Sequence, residues 1–230
     1  MQRIRPIAAG LAFIVCAAAV IAMWLLPERH RPFGDLDLED KIGAFTQLRI
    51  MALHGDAAAC AETIAQSQLV VSAVPDREEG GFCALENAVS IERSVHPYSQ
   101  AVTISCPLAA ALYVWEREVL APAAQRYLQQ RVTRIEVAGS YACRRIYGQR
   151  TGRISEHARA NAIDITGFTL DDGRVLSVER GWNGRANERA FLRAVRDGAC
   201  RVFNGVLSPD YNRAHRDHFH LDAGRYDLCE

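Results

Sequence analysis

Residues 155–165 read SEHARANAIDI and combine a histidine, an aspartate and an apolar run. The second half of this stretch begins an apolar strand, predicted over 162–170. The Asp-Asp-Gly turn at 171–173 then predicts a hairpin, because Asp-Gly turns adopt the positive φ angles that tight hairpins need. His157 lies in the loop before this strand, and Asp164 lies inside it. Since a buried carboxylate is costly unless it is paired or binds a metal, the segment predicts either an arginine ion pair or a metal ion at Asp164.

A second segment, residues 217–222, reads DHFHLD. Alternation in a strand places both of its histidines and its last aspartate on one face, and Phe and Leu on the other. Two imidazoles on one face, His218 and His220, can reach the same ion, although such a pair also occurs as two ordinary polar residues. Together with His157 and Asp164, the segment supplies three metal ligands and a spare histidine. That is the inventory of a catalytic zinc site, in which an open position remains for water.

The flanking sequence predicts an α+β domain with a mostly antiparallel sheet and flanking helices. Apolar residues at helical spacing predict a helix from Pro107 to about Val119, which Pro122 must kink or divide. Residues 42–75 show an interrupted helical pattern. We therefore predict a helical part up to about residue 131 and a metal-site sheet over 132–230. Further strands are predicted over 134–138, 174–179, 202–207 and 218–222, and an amphipathic helix over about 187–199.

The chain begins with an apolar run over residues 7–26, which is flanked by arginines. Twenty apolar residues are about what a helix needs to cross a hydrocarbon core of ~30 Å. A cleaved signal peptide, the alternative, has a shorter apolar region and ends in small residues. This run ends in Trp24-Leu25-Leu26. We therefore predict an N-terminal transmembrane helix, with residues 1–33 as membrane anchor and connector and residues 34–230 as the folded domain.

Six cysteines follow the apolar run, at positions 60, 83, 106, 143, 200 and 229. An even number without any CxxC pair predicts structural disulfides in an oxidising compartment, and the sequence does not choose among the pairings. Cys229, next to last in the chain, predicts a link that fixes the C-terminus. With the anchor, this places the domain in the periplasm on the inner membrane. Lys+Arg and Asp+Glu are equal at 27 each, so we expect no nucleic-acid partner.

The two histidine segments resemble known cell-wall enzymes. SEHARANAIDI resembles the S-x-H-x-x-G-x-A-x-D-[IL] signature of the zinc D-Ala-D-Ala carboxypeptidases, with Ala160 where that signature has glycine. DHFHLD resembles the H-x-H end of a wider group that includes lysostaphin-type and hedgehog-type domains. From about Cys60 to Cys229 the chain resembles the bacterial extensin-like C-terminal family, through CPLAAAL, SYACR, SEHA…AIDI, FLRAV…AC, VLSPDYN and HFHLD.

The resemblance implies a peptidoglycan-type metallopeptidase fold with His157, Asp164 and His220 on zinc. It implies that His218 is the active-site histidine beside the metal, where it stabilises charge or shuttles a proton. Asp217 matches the general base of endolysin-type relatives.

Two features of the resemblance concern arginines. The carboxypeptidases use a glutamate base four residues before the last ligand, where this chain has Arg216. Arg144, in SYACR, lies where relatives carry the arginine that binds a substrate carboxylate or the developing oxyanion, with Arg145 or a surface role as the alternatives.

The implied function is a zinc hydrolase that cleaves an amide bond in the peptide stems of peptidoglycan. Two other functions stay open at this point. The first is an inactive zinc-containing module that binds peptidoglycan or muropeptides, which Arg216 at the base position favours. The second is a copper site on His218 and His220, against which the Asp164 carboxylate argues. His215 either orients a metal ligand or is an ordinary loop histidine.

Overall fold

The computed structural model describes residues 4–27, 30, 31 and 34–230. Parts of the predicted anchor and connector, namely residues 1–3, 28, 29, 32 and 33, lie outside the described residues. Helix α1 covers Ile4–Leu25. Within the described part of the chain, however, no helix is both long and apolar enough to cross a membrane, so the predicted transmembrane helix is not confirmed.

The part of the domain before residue 131 contains short strands as well as helices. The helical pattern is present in α2 (Thr46–Ala52) and α3 (Ala57–Ala65), and Asp56 caps α3 by accepting a hydrogen bond from the Ala59 amide at 2.9 Å. Five strands follow: β1 (Val70–Val74), β2 (Arg77–Glu79), β3 (Cys83–Leu85), β4 (Ala88–Arg93) and β5 (Thr103–Ser105). The helical prediction over 42–75 is wrong for its last residues, because Val70–Val74 is rich in valine and forms a strand that pairs with β4. Strands β1, β4 and β5 form one antiparallel sheet, and β2 and β3 form a hairpin.

The central helix α4 (Cys106–Trp115) is buried along its whole length and begins, as predicted, next to Pro107. After α4 the chain stays helical through a π turn over Glu116–Leu120, α5 (Ala121–Ala123) and a second π turn over Ala124–Leu128. Pro122 lies between the two π turns. A proline cannot donate the hydrogen bond that an α-helix requires at this position, and wider turns accommodate that loss.

The larger sheet holds six strands in the order β11-β9-β10-β7-β6, with β8 paired to β7. Its members and the helices beside it are β6 (Val132–Gly139), β7 (Ala162–Leu170), β8 (Val175–Ser177), α6 (Val178–Gly181), α7 (Ala186–Ala199), β9 (Gly205–Leu207), β10 (Phe219–Asp222) and β11 (Leu228–Cys229). The β11–β9 pair is parallel and the other pairs are antiparallel. The α+β class is confirmed, whereas the sheet is mixed because the C-terminus returns beside β9.

The core lies between α4, α7 and the inner face of β7. Phe168 of β7 packs against Trp115 and Phe191, with ring centroids 6.4 Å and 5.4 Å apart. The Trp115 indole donates a hydrogen bond to the Val195 carbonyl at 3.2 Å, which satisfies its only polar atom. This packing fixes the position of β7, which is the strand that carries Asp164.

Three disulfides join distant parts of the domain, as the even cysteine count predicted. They link Cys60 to Cys106, Cys83 to Cys143, and Cys200 to Cys229. The last bond joins the end of α7 to β11 and confirms the predicted link at the C-terminus. Among the described residues, Cys16 is the free cysteine.

Candidate metal centre

The register of two strands places the central pair of site residues opposite each other. In the antiparallel β10–β7 pair, His220 lies directly across from Asp164. His157 reaches the same point from a 3-10 turn over Glu156–Arg159, which immediately precedes β7. The two sequence segments that stood out in the chain are therefore neighbours in space.

Three side-chain atoms converge at this point. His157 Nε2 lies 3.2 Å from Asp164 Oδ1 and 3.2 Å from His220 Nδ1, and the latter two atoms are 3.0 Å apart. All three side chains are largely shielded, with His157 only 2% exposed. Asp164 contacts imidazoles and, among the described residues, no arginine. The arrangement therefore favours the metal over the arginine ion pair as the group that compensates this carboxylate.

The outer nitrogens of the two histidines fix which atoms face the centre. His157 Nδ1 donates to the Ser140 carbonyl, and His220 Nε2 donates to the Asp222 carboxylate at 3.0 Å. In the neutral rings this leaves lone pairs on His157 Nε2 and His220 Nδ1. Two lone pairs and a carboxylate oxygen within hydrogen-bond distance require a positive charge between them, either a proton or a metal ion. Outer hydrogen bonds of this kind are what orient metal-binding histidines in proteins.

The spacing of the three atoms also fits zinc. Zinc–nitrogen and zinc–oxygen bonds of about 2.0–2.1 Å in a tetrahedron place the ligand atoms about 3.3 Å apart. The three distances here, 3.0–3.2 Å, are close to the edges of one face of such a tetrahedron. Three protein ligands leave a fourth position for water, as in catalytic sites.

Protonation in the metal-free site follows from the same contacts. Burial alone would raise the pKa of Asp164, but its hydrogen bonds with His157 and His220 outweigh burial and hold that pKa well below the usual value. Burial alone would lower the pKa of His220, but its hydrogen bonds to Asp164 and Asp222 raise that pKa to about 9. Near neutral pH a proton on His220 therefore supplies the positive charge. A metal ion that binds here must displace it.

His218 lies beside the three candidate ligand atoms, and its Nε2 faces them. Its Nε2 lies 3.6 Å from Asp164 Oδ1, while its Nδ1 bonds to Asp217 Oδ1 at 2.9 Å. The hydrogen bond to His218 lowers the pKa of Asp217, so this residue is a carboxylate near neutral pH. Asp217 is thus placed to orient His218, and it does not line the cleft in which His218 lies.

His215 completes a cluster of imidazoles. Its ring centroid lies 5.2 Å from that of His218 and 5.9 Å from that of His220, and its Nδ1 bonds to the Asn212 side chain at 2.9 Å. Burial, together with the charges of the two neighbouring histidines, lowers the pKa of His215 to about 4, so that its ring is neutral at physiological pH. It contacts no metal-ligand atom directly.

The three ligands lie in a cleft of about 580 Å³. Arg144 lines this cleft, and its guanidinium makes no hydrogen bond or ion pair to any described residue. Arg145 is engaged elsewhere, because it donates to the Gly152 carbonyl and stacks over Phe82 at 4.7 Å. Arg216 is exposed at 59% and lies 3.8 Å from Glu179, outside the cleft. Of the two candidate arginines, Arg144 is the one available to a bound molecule.

Ala160 occupies the position where the signature has glycine, and its φ of 53° is in the left-handed region. Alanine is strained there. Contacts on both sides hold it: its amide donates to the His157 carbonyl at 3.1 Å, and its carbonyl accepts from the Ser105 amide at 2.6 Å. The turn that presents His157 therefore forms with alanine in place.

Two supporting residues were not assigned a role from the sequence. Asp222 accepts from His220 and from the Gly224 amide at 2.8 Å, and it was noted only as a same-face neighbour. A side chain at Gly205 would place its Cβ 2.0 Å from Asp222 Oδ2, so only glycine leaves room for this carboxylate. The alternation of DHFHLD could have indicated Asp222, whereas nothing in the local sequence marks Gly205.

The chain matches one known family. The profile of the family described as "Extensin-like protein C-terminus" matches residues 58–230, which include every residue of the metal centre. No curated protein and no solved structure matches the chain.

Proposed function

The chain belongs to the extensin-like protein C-terminus family, and we propose that it is a zinc-dependent hydrolase that cleaves an amide bond in the peptide stems of peptidoglycan. The observation that carries the proposal is the convergence of His157, Asp164 and His220 on one point at tetrahedral spacing. Three protein ligands, which would leave a fourth position for water, suit a catalytic rather than a structural ion.

His157, Asp164 and His220 would hold the zinc ion, which would lower the pKa of a bound water and polarise a carbonyl group. The protein supplies the proton transfer. His218 Nδ1 donates to Asp217, which leaves the lone pair of Nε2 directed to the cleft next to Asp164. This nitrogen accepts the proton of the attacking water and returns it to the leaving amine. Asp217 stabilises the imidazolium that forms between these steps.

Arg144 is assigned to the substrate. Its unpaired guanidinium lines the same cleft as the three ligands. A planar fork of donors binds either a carboxylate of the peptide or the oxyanion that develops on the scissile carbonyl. His215, which is neutral at physiological pH, packs against His218 and limits the movement of that ring.

The compartment of the proposed reaction is the periplasm. Three disulfides form and persist in an oxidising environment, which is where bacterial peptidoglycan lies. The substrate assignment is supported by the resemblance of SEHARANAIDI and DHFHLD to cell-wall peptidases.

One observation favours a second function, a binding module that holds muropeptides without cleaving them. The position of the carboxypeptidase base is Arg216, which points away from the cleft towards Glu179. In that case the arrangement of His218 and Asp217 would not turn over substrate.

The test uses the full chain, produced with its disulfides formed. Bound metals are quantified, and the zinc-loaded protein is then incubated with purified peptidoglycan, with released fragments identified by mass. We expect one zinc per chain and defined peptide products that disappear on adding a chelator. Zinc without products would replace the hydrolase with the binding module, and a chain that takes up no zinc would overturn both.

A further inference from the structure

A second cleft, of about 950 Å³, adjoins the metal centre. The two clefts share five lining residues, Arg153, Ile154, Glu156, Gly224 and Tyr226, which form a ridge between them. The second cleft extends from this ridge towards the N-terminal part of the domain, where Met51, His54 and Pro107 line it. The two clefts are therefore direct neighbours on either side of these residues.

The second cleft offers unpaired positive charge. Arg153, Arg159 and Arg225 line it, and none of the three makes an ion pair or a side-chain hydrogen bond with a described residue. Arg153 instead lies over the Tyr226 ring, with its Cζ 4.6 Å from the ring centroid. Of the two carboxylates in the lining, Glu86 is exposed and Glu156 accepts from the Asn161 amide at 2.8 Å.

The floor of the second cleft is fixed by hydrogen bonds before any ligand arrives. Ser105 Oγ donates to Asn161 Oδ1 at 2.9 Å, and Asn161 is itself buried. His54 lies in the 3-10 turn that follows α2, and its Nε2 is 3.0 Å from the carbonyl oxygen of Ala223. This contact connects that turn to the segment that follows β10. Because these residues are already ordered, little conformational entropy is lost there when a ligand binds.

We propose that the second cleft binds a carboxylate-bearing segment of an extended peptide whose scissile bond lies at the metal centre, and that Arg159 and Arg225 bind those carboxylates. The proposal rests on the proposed function, because it assigns the second cleft to the same substrate. Guanidinium groups that lack an internal partner bind carboxylates with two parallel hydrogen bonds. The substrate class that follows is an acidic peptide, or a glycopeptide with free carboxylates, that occupies both clefts. A short neutral peptide would fill the first cleft alone.

The experiment measures binding of the metal-stripped full chain to purified peptidoglycan sacculi, by co-sedimentation at low salt. Sacculi whose carboxylates have been converted to amides serve as the second probe. The test variant is Arg159→Gln with Arg225→Gln. The matched control is Arg131→Gln with Arg150→Gln, which removes the same charge from exposed positions that line neither cleft.

We expect the test variant to bind native sacculi at least about tenfold more weakly than the unmodified chain, since charge-assisted hydrogen bonds are among the strong ones. The control variant should bind like the unmodified chain. Amidated sacculi should bind weakly to all three proteins. Equal binding by the test variant and the unmodified chain, or an equal loss in the control, would overturn the proposal. Because no metal and no cleavage enter this assay, a failure of the hydrolase shows only in the zinc-loaded reaction and is distinguishable from a failure here.

Discussion

The outer nitrogen of each histidine decides what its inner nitrogen can do. His157 and His220 are each held by a hydrogen bond on the far side of the ring, which turns a lone pair to the centre. His218 is held in the same manner by Asp217, but its free nitrogen lies beside the ligand set and not within it. The three imidazoles are chemically alike, and the hydrogen-bond partner of each ring decides which way its other nitrogen faces.

Substitution should therefore separate metal binding from catalysis. His218→Ala should retain zinc and lose at least about 100-fold in kcat, because a general base contributes about 10²–10⁴ in rate. His157→Ala should lose zinc and activity together. Metal content and hydrolysis of peptidoglycan, measured on both variants, check this. Loss of zinc in His218→Ala would show that this histidine is a ligand, and full activity would exclude it as the base.

A second substitution tests the support of His220 without touching a ligand. Gly205→Ala would place a methyl group at the position of the Asp222 carboxylate. Zinc affinity should fall about 10–100-fold, the usual effect of losing the partner of a metal-binding histidine. Competition with a chelator measures it. Gly55→Ala is the control, because a Cβ at Gly55 meets no other atom within 4 Å. Unchanged affinity in Gly205→Ala would show that Asp222 does not orient His220.

At this scale the sequence predicts the candidate ligands better than the residues that support them. His157, Asp164 and His220 carry chemistry in their side chains and stand in recognisable spacing. Ser140 acts through its backbone carbonyl, and Gly205 acts by having no side chain. Both roles depend on which strands become neighbours, and a local pattern does not contain that information.

Among the elements, α7 packs unusually close to the first π turn. A Cβ added at Gly198 in α7 would lie 2.2 Å from Val119 Cγ1 of that turn. The glycine is thus explained by a close approach of two helical segments and not by a turn. The first π turn can pack this close to α7 because residue 198 has no side chain.

Gly198→Ala should consequently lower the free energy of unfolding by up to about 2 kcal/mol. Overpacking costs about 1–3 kcal/mol and outweighs the gain of about 1 kcal/mol in helix propensity. Adding Val119→Ala should restore part of the loss, with a coupling free energy of about 1 kcal/mol or more. Urea unfolding of the two single variants and the double variant measures this. An increase in stability for Gly198→Ala alone would show that the turn can move away.

The predicted elements succeed where the signal is local. The hairpin at Asp171–Gly173 and the strand Ala162–Leu170 follow the prediction, and Gly173 has a φ of 80°. Strand β11 was not predicted, because Leu228–Cys229 is too short to show alternation. Its pairing with β9 depends on how residues 223–227 return the chain from β10.

For the whole molecule, the disulfide between Cys200 and Cys229 holds the C-terminal segment that lines both clefts. Replacing both cysteines with serine should lower the free energy of unfolding by about 3 kcal/mol, as expected for a closed loop of this length. The same change should weaken binding to sacculi, because the ridge residues Gly224 and Tyr226 lie within the released segment. Cys16→Ser is the control, since Cys16 is free and exposed. Unaltered thermal unfolding of the double variant would show that β11 pairing alone fixes the C-terminus.

The two clefts draw on different parts of the chain. The metal centre is built between Ser140 and Asp222, whereas the second cleft also takes residues from near α2 and from the start of α4. The motifs predicted that His157, Asp164 and His220 lie together, and they gave no sign of the second cleft. A cleft between two separately predicted regions depends on how they pack, which is a property of the folded molecule.

The pairing of His220 with Asp164 has a consequence for how this chain can change over generations. In facing strands a shift of one residue turns every side chain to the opposite face. With Phe219 held in its register, a gene that gained a single codon between Phe219 and His220 would turn the imidazole away from Asp164 to the apolar face of the strand. The stretch between β9 and β10 lies outside this register, but it carries His215, Asp217 and His218. Length variation in descendants of this gene should therefore avoid the two paired strands.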